Sequence, residues 1–527
     1  LVAGLAYSVV MNYLNRVVRG RRIGKTIYFQ GGTAYNDAVA AAFSIVTGKE
    51  VIVPPHNAVL GAIGAALLAK EKVTRSETIT RFRGYDMSQV DYALREFTCK
   101  GCGNLCSVQE FTVEGEKTFW GDKYSDRYRK RAKTDRKPVI ADLVALRREL
   151  LDADDHGDPP DATTTIGIPA AMYTFDLLPL WRRFFRDCGL KVVISGETNR
   201  TIIRHGYDCV VAEPCFPIIV AHGHVADLIE RQVDYIWLPN ILNAETRFLD
   251  NESHVCPWGQ TLPFIIRQAP AFRDWQGRIL CPTLRFRRGM QGVRQELLAV
   301  ASGLGVDARR AERAFEAGCQ ALVRFREAYA RAGAEALATL ERGGENGIVI
   351  VGRPYNIHDP GVSLATARKL REHYGVNVIP IDALTLADVD IRDINSNMFW
   401  DYGRRILAAA RVVSRYSNLH IIYLTNFKCG PDSFVKSFVR SASGKPFLTL
   451  QFDGHSNDAG MMTRCEAYLD SKGILRWWRK CETEATVSVD EPSISLKWPT
   501  PAPGSWPPAS APSASTRHPH QTPTPKP

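Results

Sequence analysis

Short runs of β-branched and apolar residues alternate with longer amphipathic stretches from Thr165 to Asp470. Such alternation indicates βαβ units and parallel sheets. The first part predicts strands at 165–168, 191–194, 209–212 and 235–238, and helices at 177–188 and 218–232. The second part predicts strands at 347–351, 376–380, 420–424 and 446–451, and helices at 363–373 and 433–440. A helical stretch predicted from Asp307 to Arg342 joins the two parts, whose similar order suggests an internal structural duplication.

The flanking regions differ in character. Residues 1–75 predict a helix, a strand at 26–29, a Gly-rich turn, a helix, a strand at 50–53 and an Ala/Gly-rich helix at 58–72. An acidic, Pro/Gly-marked linker at 152–161 is typical of a boundary. Residues 488–527 are rich in Pro, Ser and Thr, and we expect them to be disordered. We therefore predict an α/β protein with divisions at 1–75, 76–160, 161–300, 301–345 (connecting helices), 346–487 and 488–527.

Composition adds limits on class and compartment. The 527 residues are 45% hydrophobic and 23% charged, which is ordinary for soluble chains of several domains. No segment has the roughly 18 uninterrupted apolar residues of a membrane span, and no secretory signal is evident. Twelve cysteines in such a chain favour a reducing cytoplasm, where grouped cysteines more often bind metals than form disulfides. We expect a cytoplasmic protein with no membrane partner.

The formal charge of +11 is concentrated in a basic run between Lys123 and Arg148. Such a run is usually a solvated face. The sharper alternative is a contact with an acidic ligand such as a nucleotide, coenzyme A or nucleic acid.

Three cysteines lie within two residues of a proline at predicted loops: Cys215, Cys256 and Cys429. Taken singly, each would more often be a buried apolar thiol than a ligand. Three thiols brought together from separate loops could hold an iron–sulfur cluster, and three thiolates would leave one iron open for chemistry. Cys281 also precedes a proline, and we expect it not to be a ligand.

A second cysteine group has the compact spacing C-x₂-C-x₃-C, formed by Cys99, Cys102 and Cys106. Small spacers let several thiolates turn toward one ion, so the spacing favours a metal site. Zinc and an iron–sulfur cluster remain alternatives, and no fourth ligand lies nearby in the sequence. The interpretation without a metal is a turn whose reduced thiols are incidental.

Polar residues beside Cys215 are candidates for acid–base chemistry. Glu213, His222 and His224 have two interpretations. They either cap the start of a helix, or they supply protons and hydrogen bonds to cluster sulfur.

Gly31 and Gly32 follow a predicted strand and precede a helix. Glycine lets backbone approach a ligand closely, and a helix N-terminus favours an anion. An isolated Gly-Gly is more often an ordinary turn.

Residues 29–69 resemble the C-terminal part of the BadF/BadG-type ATPases, the activators of 2-hydroxyacyl-CoA dehydratases and benzoyl-CoA reductases, which have an actin/Hsp70-like fold. The resemblance is carried by the segments 31–36, 53–57 and 61–66. It implies that Gly31, Gly32 and Asn36 face ATP. The phosphate-binding half of that family lies upstream, so we expect this chain to be a fragment that does not hydrolyse ATP alone.

Residues 165–470 are similar to the domains fused behind those ATPases, which resemble the D-component of 2-hydroxyglutaryl-CoA dehydratase. The matching segments are 213–217, 222–224, 256–258, 352–356, 429–433 and 458–460. The resemblance implies two Rossmann-like lobes with a [4Fe–4S] or double-cubane cluster on Cys215, Cys256 and Cys429.

The same resemblance implies partners and a reaction. An ATP-dependent activator would deliver a low-potential electron, and the substrate would be a small molecule or an acyl-CoA. A homodimer is considered, whereas a nucleic-acid partner is not favoured. The alternative function is a non-catalytic zinc-binding scaffold or nucleic-acid-binding protein that uses Cys99, Cys102, Cys106 and the basic run.

Overall fold

The computed structural model describes residues 2–18, 22–76, 90–100, 106–121, 136–153, 157–248 and 252–475. Cys102, most of the basic run and the predicted tail at 488–527 lie outside the described residues. The chain divides into two compact units, residues 1–94 with 111–117 and residues 95–110 with 118–527.

The first unit contains a small α/β arrangement. Its helices and strands are α1 (Val2–Tyr13, continued by a π-helical turn Leu14–Val18), β1 (Thr26–Tyr28), α2 (Asp37–Thr47), β2 (Glu50–Ile52) and α3 (Leu60–Ser76). Strands β1 and β2 pair in parallel. Val10, Val39 and Phe43 form the centre of the small core. Helix α2 begins at Asn36, whose side chain accepts from the amide of Ala38, and ends at the left-handed Gly48.

A three-stranded sheet follows, with strands β3 (Tyr92–Thr98), β4 (Ser107–Val113) and β5 (Glu116–Trp120) in chain order. Glu114 and Gly115 turn the chain between β4 and β5 with positive φ angles of 50° and 83°. Helix α4 (Leu143–Ala153) then leads into the large α/β region.

The first lobe is a doubly wound α/β structure. Its elements are β6 (Thr165–Ile168), α5 (Thr174–Asp187), β7 (Lys191–Ile194), α6 (Arg200–Cys209), α7 (Phe216–Glu230), β8 (Tyr235–Trp237), β9 (Asn240–Asn243), α8 (Pro257–Gln268), β10 (Ile279–Leu280), β11 (Thr283–Arg285) and α9 (Met290–Gly303). The parallel sheet has the order β10-β8-β6-β7, and β9 pairs in parallel with β11.

The second lobe follows the long helix α10 (Ala308–Gly343) and repeats this design. Its elements are β12 (Gly347–Gly352), α11 (Pro354–Ile357), α12 (Pro360–Ser363), α13 (Thr366–Tyr374), β13 (Asn377–Pro380), α14 (Asp401–Ser414), β14 (Leu419–Asn426), α15 (Gly430–Ser443), β15 (Leu448–Phe452) and α16 (Asp458–Ser471). The sheet order β13-β12-β14-β15 is parallel throughout and matches that of the first lobe. The predicted α/β class with Rossmann-like parallel sheets is therefore confirmed.

Helix α10 contributes to the cores of both lobes. Ala311, Phe315 and Leu322 pack in the first lobe, whereas Tyr329 and Leu340 pack in the second. The helical stretch predicted from Asp307 to Arg342 corresponds to this helix.

Two predicted elements differ from the structure. The apolar run at 209–212 does not form a strand, because Cys209 ends α6 and the chain then continues without regular structure. The helix predicted at 363–373 is interrupted at Leu364 and Ala365, whose φ angles are 52° and 53°. Among the described helices, none combines the length and the apolar character that crossing a membrane requires.

Candidate thiol site at the lobe junction

Three cysteines occupy the same position in three different helices. Cys215, Cys256 and Cys429 are the N-cap residues of α7, α8 and α15. Each helix carries a proline in its first turn, where the missing amide hydrogen costs nothing: Pro217, Pro257 and Pro431. The Cys-Pro pattern seen in the sequence therefore marks helix starts, and each thiol lies where a helix presents its partial positive charge.

The structure brings these thiols together. Loss of solvent contact raises the pKa of Cys215 to about 12, with a further contribution from the Cys256 thiol. The pKa of Cys429 is also raised to about 12 by burial, and the Cys215 thiol adds to this. Tyr355 lies close enough to all three cysteines for each to raise the pKa of its hydroxyl, which burial raises first. Across the described ranges, no three His, Cys, Asp or Glu side chains are grouped tightly enough to hold one metal ion.

Three buried tyrosines pack against one another beside the thiols. The ring centroids of Tyr173, Tyr355 and Tyr402 are 6.1 to 6.5 Å apart. The Tyr173 hydroxyl lies 3.8 Å from Cys256 Sγ, and the amide of Gly259 donates to the same sulfur at 3.3 Å. A Cβ at position 259 would overlap the Tyr173 hydroxyl, so glycine is needed for this close approach.

A buried ion pair lies beside the tyrosines. Nε and Nη2 of Arg353 donate to Asp432 Oδ1 at 3.1 and 2.9 Å, and both residues are only 2% exposed. Asp432 Oδ2 accepts from the Thr425 hydroxyl at 2.6 Å. The Arg353 guanidinium lies over the ring of Tyr402 and opposes the burial-driven rise in the pKa of Cys215 and Cys429. The cost of burying the Arg353 and Asp432 charges is therefore offset by their attraction to each other.

Glu213 lies on the surface beside the site. Its side chain is 67% exposed, and its Oε2 pairs with Lys428 Nζ at 2.7 Å. Lys428 has a φ angle of 65° and immediately precedes Cys429. The ion pair thus joins the Cys215 loop to the Cys429 loop across the two lobes.

The two candidate histidines are buried within α7. His222 Nδ1 donates to the carbonyl of Ile218 at 2.8 Å, and burial lowers its pKa. His224 bonds on both sides, from Nδ1 to Ser195 Oγ and from Nε2 to Thr198 Oγ1, each at 2.8 Å. Burial lowers the pKa of His224 to about 4, so the ring is neutral at neutral pH. Neither ring forms a hydrogen bond to a cysteine within the described residues.

The His224 network crosses to the second lobe. Thr198 donates its hydroxyl to Asp359 Oδ2 at 2.6 Å, so its oxygen accepts from the Nε2–H of His224. Asp359 also caps α12 through the amides of Gly361 and Val362, and burial raises its pKa to about 6. This chain of contacts holds the lobes together behind the thiol site.

The remaining predicted residues lie elsewhere. In the first unit, Gly31 has a φ of 97° and exchanges hydrogen bonds with Asn57, while exposed Asn36 caps α2. Cys99 and Cys106 are buried, and Cys99 N donates to Cys106 O at 2.8 Å. Cys102 lies outside the described residues, so that group is only partly seen. Cys281 Sγ accepts from Arg267 at 3.1 Å, away from the three N-cap thiols.

Arg353 and Asp432 lie in segments that carry the family resemblance but were not predicted as site residues, and Tyr173, Tyr402 and Asn426 were not singled out at all. Arg353 carried a usable signal, because a charged residue directly after a fully buried strand is costly unless it has a partner. The tyrosines carried no such signal, since aromatic residues in helices and loops most often belong to a core.

Comparison with known families identifies part of this region. Residues 165–384 match the family model of the CoA enzyme activase uncharacterised domain. The matched stretch contains Cys215, Cys256 and Arg353 and ends before Cys429. The chain thus carries a domain related to CoA enzyme activases, over less than half of its length. Comparison with curated proteins gave no match.

Solved structures give only weak likenesses. The C-terminal domain of a glucosamine-fructose-6-phosphate aminotransferase from Francisella tularensis aligns over 64% of this chain and 88% of its own, with 10% identity and a TM-score of 0.18. A glucosamine-6-phosphate deaminase from Thermotoga maritima aligns over 60% and 85%, with 10% identity and a TM-score of 0.16. At these scores neither likeness carries an argument.

Proposed function

We propose that this protein holds an iron–sulfur cluster on Cys215, Cys256 and Cys429 and takes part in low-potential electron transfer that reduces or dehydrates a small substrate. The observation that carries the proposal is the convergence of three thiols from three loops at three helix N-termini. The match to a CoA enzyme activase domain supports it, because that name associates the fold with the activation of CoA enzymes.

The donor set fits such a group. Cysteine thiolates are the usual protein ligands of iron–sulfur clusters. A single zinc ion draws its ligands into one tight tetrahedron, whereas a cluster binds each thiolate at a different iron. The Cys215 thiol interacts with both Cys256 and Cys429, and the cluster proposed on the three is of [4Fe–4S] or double-cubane type.

The charges around the thiols also fit an anionic group. Each helix N-terminus is equivalent to roughly half a positive charge, so the three together supply about 1.5 charges. Arg353 and Asp432 nearly cancel each other. The raised pKa values of Cys215 and Cys429 mean that both thiols are protonated at neutral pH without metal. Loading must therefore release protons.

When bound, such a cluster supplies a low-potential electron and an iron without a protein thiolate. The chain's own residues hold and tune it. Gly259 N–H and the Tyr173 hydroxyl donate toward Cys256, and hydrogen bonds of this kind adjust the potential of a cluster. The Glu213–Lys428 pair keeps two ligand loops in register.

The electron source in this proposal is an ATP-dependent activator, and the substrate is a small molecule or an acyl-CoA. Gly31, Gly32 and Asn36 would contact ATP only together with a phosphate-binding half that a longer chain or a second protein supplies. Cys99, Cys102 and Cys106 would hold a separate zinc or iron–sulfur site. No described contact favours the alternative of a zinc scaffold or nucleic-acid-binding protein.

Anaerobic reconstitution with iron and sulfide tests the proposal on the full chain. We expect a brown protein in which Cys215→Ala, Cys256→Ala or Cys429→Ala each removes most of the iron that the first site holds. Cys281→Ala is the matched control, since Cys281 also precedes a proline but contacts Arg267 instead. Equal iron content in the parent and all four variants would exclude the assignment.

A further inference from the structure

Two loops that carry unusual buried polar groups lie side by side at one edge of the second sheet. Arg353 follows β12 and leads into α11, which holds Asn356; Asn426 ends β14, and Cys429 follows it just before α15. Strands β12 and β14 are parallel neighbours, with Gly352 opposite Leu424. Ligands of doubly wound sheets bind outside the carboxyl ends of such strands, where the strand order reverses.

The backbone here is packed too closely for most side chains. A Cβ on Gly352 would lie 2.5 Å from the carbonyl oxygen of Leu424, and its φ is 155°. Glycine therefore brings the start of the Arg353 loop directly against the end of β14. Helix α11, which contains Asn356, contacts β14 as well.

One nitrogen of the Arg353 guanidinium is not used by the ion pair with Asp432. Nε and Nη2 are used by Asp432, but Nη1 has no hydrogen-bond partner among the described residues. A buried donor without a partner destabilises the folded protein, and a charged donor does so more strongly. Asp432 accepts no hydrogen bond from the two hydrogens on Arg353 Nη1.

Two buried amides share this property. Asn356 is 0% exposed, and neither its Nδ2 nor its Oδ1 has a partner in the part of the chain that is described. Asn426 is 2% exposed, and its Nδ2 likewise has none. Together with Arg353 Nη1, these groups offer three nitrogen donors against a single oxygen acceptor. The excess of donors, one of them cationic, suits an oxygen-rich anion.

These groups belong to the thiol site. The charge of Arg353 interacts with the sulfurs of Cys256 and Cys429, and the amide of Cys429 donates to the carbonyl of Asn426 at 3.3 Å. A ligand held by Arg353 therefore lies beside the thiols.

We propose that Arg353, Asn356 and Asn426 form a subsite that binds the carboxylate of a small substrate next to the thiols. The inference rests on the proposed function only in taking the thiol site as the reacting centre. Arg353 Nη1 and the two amide nitrogens donate to the carboxylate oxygens, and Asp432 holds the guanidinium in place. These are positioning residues.

Acetate is the probe, with acetamide as its neutral isostere, and the shift in melting temperature of the full chain is the readout. We expect acetate to raise the melting temperature saturably, beyond the effect of equal chloride, and acetamide not to do so. Asn356→Leu and Asn426→Leu keep the Arg353–Asp432 pair, so we expect them to fold and to weaken acetate binding at least tenfold. Arg392→Met, a surface arginine paired with Asp390, is the control that should bind like the parent.

The two proposals fail separately. Acetate binding that depends on Asn356, in a protein that takes up no iron on anaerobic reconstitution, supports the subsite and contradicts the cluster. A loaded cluster with no acetate shift, equal shifts from acetate and acetamide, or unchanged binding in both leucine variants overturns the subsite and leaves the cluster standing.

Discussion

Single atoms decide the surroundings of Cys256. Its sulfur accepts from Gly259 N–H and lies beside the Tyr173 hydroxyl, and the position of that hydroxyl requires that position 259 has no side chain. The residue type in the first turn of α8 is therefore constrained by the Tyr173 side chain that packs against it. Helix propensity alone would favour almost any residue other than proline over glycine there.

We expect Gly259→Ala to displace Tyr173 and to lower the free energy of unfolding by about 1–3 kcal/mol, the usual cost of overpacking. Iron retention after reconstitution should fall as well, because displacement of Tyr173 takes its hydroxyl away from the Cys256 sulfur. Urea unfolding and iron analysis measure the two effects. Gly292→Ala in α9 is the control, since nothing lies within 4 Å of its Cβ, and it should be neutral or stabilising. If both substitutions behave alike, the close approach has no consequence.

At the scale of elements, α13 and α16 are joined by a fully buried ion pair. Lys369 Nζ donates to Asp458 Oδ2 at 2.8 Å, with exposures of 0% and 2% for the two side chains. Such pairs add little stability over apolar replacements, yet removing one partner leaves a buried charge. The pair therefore fixes which helices lie together more than it stabilises them.

We expect Lys369→Met to lower the free energy of unfolding by about 3–5 kcal/mol, because Asp458 keeps a buried charge without its partner. The double variant Lys369→Met/Asp458→Leu should recover a large part of that loss. Chemical denaturation of the parent, both single variants and the double variant measures the coupling. Simple additivity of the two single effects would contradict it.

Sequence patterns predicted the elements unevenly, for a physical reason. Helix α10 has a 3.6-residue repeat over many turns, so local pattern and final structure agree. The segment from Cys209 to Ala212 has only four apolar residues. So short a pattern does not determine whether they form a strand or the end of a helix. Gly206 lies directly against the carbonyl of Ile219 in α7, and α6 continues from there through Cys209.

At the scale of the whole molecule, the two lobes are held together through polar contacts around the thiol site. Tyr402 and Arg405 of the second lobe bond to Asp176 of the first, at 2.8 and 3.0 Å. Thr198 bonds to Asp359, and Glu213 pairs with Lys428. Because a cluster on the three cysteines would bridge the same junction, lobe closure and cluster retention should depend on each other.

The His224 network gives this junction a pH signature. The pKa of His224 is lowered from 6.5 to about 4, chiefly by burial, so the unfolded chain binds more protons between these values. The His224 contribution to stability therefore rises by about 3 kcal/mol from pH 4 to 6.5. Asp359, with its pKa raised from 3.8 to about 6, contributes an opposite change of similar size.

We expect the parent to show little net pH dependence from this pair, and His224→Gln to expose the Asp359 effect. The free energy of unfolding of the parent, minus that of the variant, should rise by about 3 kcal/mol from pH 4 to 6.5. Denaturant unfolding at several pH values measures it. A constant difference would mean that His224 is protonated equally in both states.

The candidate site could be predicted only in part. The three cysteines were recognisable because proline beside cysteine marks a helix start, a local feature. The role of Arg353 depends on Asp432, 79 residues further along the chain. Asn356 and Asn426 stand out only once burial shows that their amides lack partners. Pairing over such distances leaves no pattern in a single sequence.

Helix α10 sets a limit on how this protein can be divided. At 36 residues it is about 54 Å long, and it gives one half of its apolar face to each lobe. A cut within its first half would uncover apolar surface in the core of the first lobe, and a cut within its second half would do the same in the second lobe. Two fragments that each keep a complete core therefore have to be divided near the middle of α10, between Leu322 and Tyr329.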